Sequence, residues 1–197
     1  EGAEERADEL AEFGFALGTL ATVLKCQGKP DEADPLLVRA IEIKERALGP
    51  DHPSVAKILG TRAIVLQAQG KYDEADRLYR RCIEIQEKRL GPDHPELAAS
   101  LNNRAGLLQQ QGKLDEADPL LVRAIEIQER ALGPDHPSVA ISLGTRAIVL
   151  QAQGKLDEAD PLLVRAIEIQ ERALGPDHPN VANSLGTRAN VLQAQVR

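Results

Sequence analysis

The stretch GKLDEADPLLVRAIEIQERALGPDHP, residues 112–137, recurs without change at residues 154–179. Parts of it mark the rest of the chain. Gly-Pro-Asp-His-Pro begins at Gly49, Gly91, Gly133 and Gly175, 42 residues apart at every step. Gly-Lys-x-Asp-Glu-Ala-Asp begins at Gly28, Gly70, Gly112 and Gly154, with the same spacing. Two independent markers sharing one period identify a tandem array of one supersecondary unit.

Each unit reads as two helices. In the second unit, Ala56, Leu59, Ala63, Leu66 and Gly70 fall at 3–4 spacing and give a first helix one apolar stripe. Gly70 supplies the left-handed position that ends it. Asp73 is the expected N-cap of the second helix, with Asp76 placed as the acid of a capping box. Ala75, Leu78, Tyr79, Cys82, Ile83 and Leu90 form the second stripe. Gly91 and Pro92 end that helix, and Pro95 opens the next, where a missing N–H costs nothing.

This spacing predicts helices near 4–27, 31–48, 54–69, 73–90, 96–111, 115–132, 138–153, 157–174 and 180–195. Pro35, Pro119 and Pro161 fall early in their second helices and predict a late or kinked start there. The units run 14–55, 56–97, 98–139 and 140–181. An N-terminal helical extension at 1–13 precedes them, and a half repeat or truncated cap helix at 182–197 follows. Neither helix of a pair can bury its face alone, so the expected fold is all-α, a solenoid of antiparallel helix pairs. An unpaired last helix leaves an open seam available for end-to-end self-association. Its end at Gln195-Val196-Arg197 falls where the next Gly would stand, which favours a cut from a longer array, and the absence of an initiator Met points to a fragment or a processed chain.

Composition narrows function. The 197 residues carry a formal net charge of −7, which disfavours non-specific binding to nucleic acid or to an anionic membrane. Hydrophobic residues at 42% exclude disorder, and aromatics at 2% suit thin, closely spaced helices. Cys26 and Cys82 sit at unrelated repeat positions and read as free thiols of a reducing, cytoplasmic setting. No run approaches the ~18 apolar residues of a membrane span, and residues 1–6 lack a signal pattern.

The unit from Leu101 to Leu121, LNNRAGLLQQQGKLDEADPLL, resembles a tetratricopeptide repeat (TPR). The 42-residue period and the Ala-Leu-Gly-Pro-Asp-His-Pro linker are similar to the long variant of kinesin light chains. Comparable near-identical arrays occur joined to NB-ARC-type nucleotide-binding domains. The resemblance implies a right-handed superhelix whose first helices line a concave face that receives peptides or partner helices. On this chain that face comprises Lys57, Thr61, Ile64 and Gln67 in the second unit, and Ala99, Asn102, Asn103, Gly106, Gln109 and Gln110 in the third. Ile141, Thr145, Ile148 and Gln151 follow in the fourth, then Asn183, Thr187, Asn190 and Gln193 in the last helix.

One column departs from that pattern. Where the family favours a buried Leu, as at Leu20, the later units carry Arg62, Arg104, Arg146 and Arg188. A buried unpaired charge is costly, so these side chains must snorkel or pair. Glu84, Glu126 and Glu168 are the candidate partners. A free ladder of guanidiniums could meet phosphates or an acidic peptide, but the acidic surroundings favour a solvated or internally paired seam.

Other conspicuous residues read as structure. His52, His94, His136 and His178 sit in separate linkers, and packed helices stand roughly 8–10 Å apart, so they cannot share a metal. They read as turn and cap residues. Asp31-Glu32, Asp73-Glu74, Asp115-Glu116 and Asp157-Glu158 lie in first helical turns, where acids complement the dipole. No phosphate loop and no nucleophile set is present, so no catalytic residue, metal or cofactor is expected.

The expected function is a protein-interaction scaffold holding a peptide segment or partner helix. Two alternatives stand beside it: the sensing arm of an NB-ARC-type switch, and a structural or engineered spacer. Binding is favoured because the first helices vary more between units than the second. Gly60, Asn102, Gly144 and Gly186 share one inward position, and Ile64, Gly106, Ile148 and Asn190 share another. The isoleucines offer apolar groups, the glycines room for close approach, and the amides paired donors and acceptors.

Overall fold

A computed structural model describes residues 2–196, with side chains from Glu9 onward. Among the described residues there are nine α-helices and no strand: α1 (Gly2–Cys26), α2 (Pro30–Leu48), α3 (Pro53–Ala68), α4 (Tyr72–Leu90), α5 (Pro95–Gln110), α6 (Leu114–Leu132), α7 (Pro137–Ala152), α8 (Leu156–Leu174) and α9 (Pro179–Gln195). The expected boundaries hold to within two residues. Two compact units divide the chain, residues 1–92 with α1–α4 and residues 93–197 with α5–α9.

Glycine sets where each helix stops. Gly28, Gly70, Gly112 and Gly154 take φ of +73°, +74°, +72° and +77°. At Gly70 the chain folds back so that Gly70 N donates to Gln67 O (3.0 Å) and Lys71 N to Leu66 O (2.9 Å). These bonds satisfy carbonyls that the helix end would otherwise leave bare.

Histidine sets where each later first helix starts. His52, His94, His136 and His178 are the N-caps of α3, α5, α7 and α9. Their Nδ1 atoms accept from the backbone N–H two residues on, at 3.1, 3.2, 3.2 and 3.1 Å. An accepting Nδ1 requires the tautomer with its proton on Nε2. The proline that follows each histidine occupies the first helical position, where its ring fixes a helical φ.

The second helices start otherwise than the sequence suggests. Their N-caps are Lys29, Lys71, Lys113 and Lys155, none with a side-chain cap bond. Asp73 therefore lies inside the first turn rather than capping it. Asp76 completes no capping box: it is buried and pairs with Arg80 one turn on, at 2.7 Å. The prolines delay nothing, for α2, α6 and α8 begin in the same register as α4, which carries Arg77 there. Pro35, Pro119 and Pro161 lie on exposed surface, so water can reach the carbonyl that each ring leaves without a donor.

Small residues bring the paired helices together. Ala63 and Ala75, Ala105 and Ala117, and Ala147 and Ala159 are all fully buried on facing stripes. Around them Leu, Ile and Val fill the cores of both units. Tyr79 replaces the leucine of that column, Leu37, Leu121 and Leu163, and is itself fully buried. Its hydroxyl lies 3.4 Å from Gln67 Oε1, and burial pushes the phenol well above its usual range.

Position in the array decides exposure. Phe13 and Val23 of α1 are 45% and 48% exposed, whereas their counterparts Val55 and Val65 of α3 are fully buried. Leu185 and Leu192 of α9 are 47% and 41% exposed, whereas Leu143 and Leu150 of α7 are 1% exposed.

If the histidine caps fix the register of the first helices, His136→Ala should cost about 1 kcal/mol in equilibrium unfolding, while His136→Asn should keep most of that. Equal stability of the wild type and His136→Ala would show that Pro137 alone starts α7.

Candidate binding face

Within each unit the first helices approach one another. α1 packs on α3, α5 on α7 and α7 on α9, in addition to each helix's sequential neighbours. The second helices show no comparable backbone approach to each other within a unit. Long side chains span that wider spacing: Arg81 reaches Glu45 at 2.6 Å and Arg165 reaches Glu129 at 2.6 Å. The first-helix side of each unit is therefore the closer-packed side, the one expected to face inward.

The arginine column belongs to the seam between repeats. Arg62 Nε donates to Asp34 Oδ1, Arg146 Nε to Asp118 Oδ1 and Arg188 Nε to Asp160 Oδ1, each at 2.7 Å. Each pair ties a second helix to the first helix that follows it. Glu84, Glu126 and Glu168, the partners expected from sequence, are exposed instead. The aspartates lie in the first turn-and-a-half of the second helix, directly against the next first helix, where a short carboxylate suffices. Leu20, expected to be buried, is 49% exposed: its column faces a preceding second helix, and none among the described residues covers it. The guanidiniums of Arg62, Arg146 and Arg188 are thus each paired with an aspartate of the preceding helix.

A second lock runs beside the first. Gln69 Nε2 donates to Asp31 Oδ1 (2.8 Å), Gln153 to Asp115 (2.9 Å) and Gln195 to Asp157 (2.9 Å). The first-turn acids therefore act in packing as well as on the helix dipole.

The inward positions differ between the units. In the first, Lys57 and Thr61 line a cavity of about 440 Å³ between α1 and α3, together with Phe15, Gly18, Thr22 and Lys44. Ile64 is half-buried, and Gln67 receives Tyr79. Gly60 leaves no open notch, because an added Cβ would meet Cys82 Sγ at 3.6 Å. The sequence reading missed Phe15, Gly18, Thr22 and Lys44. The signal available was Lys44 itself, which stands where the other repeats carry Gln86, Gln128 and Gln170.

In the second unit, Ile141 and Ile148 are 52% and 41% exposed. Added Cβ atoms at Gly106, Gly144 and Gly186 would meet nothing within 4 Å. Ala99, Asn103, Gln110, Asn183, Asn190 and Gln193 are exposed, and Asn102, Gln109 and Gln151 are half-buried. The Asn102 Oδ1 is buried and accepts no hydrogen bond from the described residues. Thr145 and Thr187 donate their hydroxyl protons to Ile141 O and Asn183 O, both at 3.0 Å. They can only accept from a ligand.

No group of described residues could hold a metal ion. Cys26 and Cys82 are free thiols. No described helix is long and apolar enough to cross a membrane.

Comparison with known proteins agrees with this geometry. The tetratricopeptide repeat family profile matches residues 13–88, 54–117, 96–159 and 143–196. Among solved structures, the nearly identical TPR-like repeats of a kinesin light chain candidate from Podosopora anserina superpose with a TM-score of 0.81 at 31% identity, covering 94% of this chain and 88% of that one. A substituted variant of the same repeats gives 0.82 at 30% identity, covering 94% and 87%. BtubC (BKLC) from P. vanneervenii shares the fold, with a TM-score of 0.81 at 20% identity over 98% of this chain and 80% of that one. A search of curated proteins returned no match. Repeats of this family generally mediate protein–protein interaction. With its period, its helix pairs and its stacking all in agreement, the chain belongs to the tetratricopeptide repeat family.

Proposed function

We propose that the chain is a non-enzymatic, cytoplasmic protein-interaction scaffold that holds a peptide segment or partner helix on the inward face of its first helices. One observation carries this reading: Ile141 and Ile148 are exposed on either side of Gly144, whose missing side chain leaves bare backbone. A glycine inside an exposed helix costs roughly 0.5–1 kcal/mol relative to alanine. No steric need explains that cost at Gly144, since nothing would obstruct a methyl group there. Close approach by another chain would.

The surrounding chemistry supports the same reading. Asn102, Asn103, Gln109 and Gln110 offer amides that can serve a ligand backbone as donor and acceptor. The isoleucines supply small apolar anchors beside them. An extended segment or an amphipathic helix needs both kinds of contact.

Two substitutions separate stability from binding. Gly144→Ala should stabilise the fold by up to about 1 kcal/mol, because it gains helix propensity without a clash. It should also weaken partners that approach the backbone there. Gly14→Ala is the control: its Cβ would sit 3.0 Å from Lys44 Cγ and 3.3 Å from Ile43 Cγ2, and the substitution should destabilise.

The direct test is selection of peptides from a displayed random library on the folded array. Selected peptides should lose about 1–2 kcal/mol of affinity for an Ile141→Asp, Ile148→Asp variant, and also weaken on Asn102→Ala, Asn103→Ala, while circular dichroism stays unchanged. Peptides that bind both variants as tightly as the wild type would place the binding surface elsewhere. A library that yields no binder would leave the array a spacer.

A further inference from the structure

The cavity between α1 and α3 contains a charge without a counter-charge. Lys44 is only 7% exposed, yet among the described residues no carboxylate forms an ion pair with it. Its stem is wedged against Gly14, where even one added carbon would lie 3.0 Å from Lys44 Cγ. Its ammonium lies 5.8 Å from the centroid of the Phe15 ring, a cation–π contact. Glu12 lines an adjoining cavity with Lys44 but does not reach it as an ion pair. A second cation, Lys57, is exposed and lines the same cavity, and no acid among the described lining residues faces it. Burial, and then the Lys57 charge, hold the Lys44 ammonium below the usual lysine range.

Among the described residues that line it, the cavity carries one buried cation, Lys44, and one exposed cation, Lys57, and no acid. That set suits an anion. The other lining groups define what else the anion must carry. Thr19, Thr22 and Thr61 have committed their hydroxyl protons to Phe15 O, Gly18 O and Lys57 O, at 3.0, 2.9 and 3.0 Å. The two lysines and the Ser54 hydroxyl are therefore the side-chain donors left for a ligand. Most of the remaining wall is apolar, with Phe15, Val23, Leu37 and Ile58. A volume of about 440 Å³ suits a small molecule rather than a bare ion.

We propose that this cavity binds a small organic acid, its carboxylate held by Lys44 and Lys57 and its apolar body against Phe15, Gly18 and Ile58. The site is separable from the peptide reading at Lys44 of α2, which lies outside the residues assigned to the inward face, whereas Lys57 is shared with it. The array itself supplies fold-compatible replacements: Gln86, Gln128 and Gln170 occupy the Lys44 column, and Ile141 occupies the Lys57 column.

The test is isothermal titration of the whole chain with sodium octanoate, with acetate and n-octanol as partial ligands. Octanoate should bind saturably in the millimolar range or tighter, and the lysine ε-carbon NMR signals of Lys44 and Lys57 should shift with the same saturation. Acetate lacks the apolar body and octanol lacks the charge, so neither should match it. Lys44→Gln and Lys57→Ile should each weaken octanoate by roughly tenfold or more, and Lys44→Gln should raise the unfolding midpoint of the ligand-free chain. Gly18→Leu, which fills the cavity and keeps both charges, should abolish binding. Absence of saturable octanoate binding would overturn the proposal. So would octanoate binding equally well to Lys44→Gln, or octanol binding as tightly as octanoate.

Discussion

The ion pair between an arginine of one first helix and the aspartate of the preceding second helix is the contact on which the stacking of repeats depends. Arg62–Asp34, Arg146–Asp118 and Arg188–Asp160 have one separation in sequence, one length of 2.7 Å and one atom pairing. Their side chains are about three-quarters buried at Arg62 and Arg146. A charge-assisted bond in that setting is shorter and stronger than a neutral one. It also has a fixed register, which a leucine in the same column would not impose. Loss of either partner would leave the other charge partly buried, and that asymmetry makes the seam specific even where its net contribution is modest.

The pairing decides what the array can offer a ligand. A free ladder of guanidiniums would have been an attractive phosphate or acidic-peptide surface. With Asp34, Asp118 and Asp160 closing on Arg62, Arg146 and Arg188, that surface is internal structure there. The histidines are likewise absorbed into helix caps, and Asp31, Asp115 and Asp157 into bonds from the glutamines of the next repeat. What stays open is the inward side of the first helices, and it is not uniform. The first unit presents lysines, threonines and Phe15 around a cavity, while the second presents isoleucines, amides and bare glycine backbone.

Most of the fold was legible because it rests on local rules that repeat. Gly70 and Pro95 fix helix ends through backbone geometry, and the 3–4 spacing of Ala56, Leu59, Ala63 and Leu66 names the buried stripe. His136 was readable as a cap because it stands between a turn and a helix-opening proline. The failures concern relations between elements. Glu126 was as plausible a partner for Arg146 as Asp118, since the one-dimensional pattern does not say which turn of the second helix faces the next repeat. Leu20 looked buried because its column was treated as equivalent in every unit, although the first unit has no second helix before it among the described residues. Asp73 looked like a cap because acids favour that role, yet the helix begins one residue earlier, at Tyr72, with Lys71 as its cap. Lys44 is not legible as an inward group from the pattern of the first helices, because it reaches the cavity from a second helix through a long side chain.

A double-mutant cycle on Asp118 and Arg146, read by equilibrium chemical unfolding, tests the stacking account most directly. A parallel cycle on Glu126 and Arg146 serves as its control. The account predicts a coupling of about 1 kcal/mol for the first pair and none for the second. A vanishing coupling between Asp118 and Arg146, or an equal one between Glu126 and Arg146, would contradict it and return the arginines to the surface available for ligands.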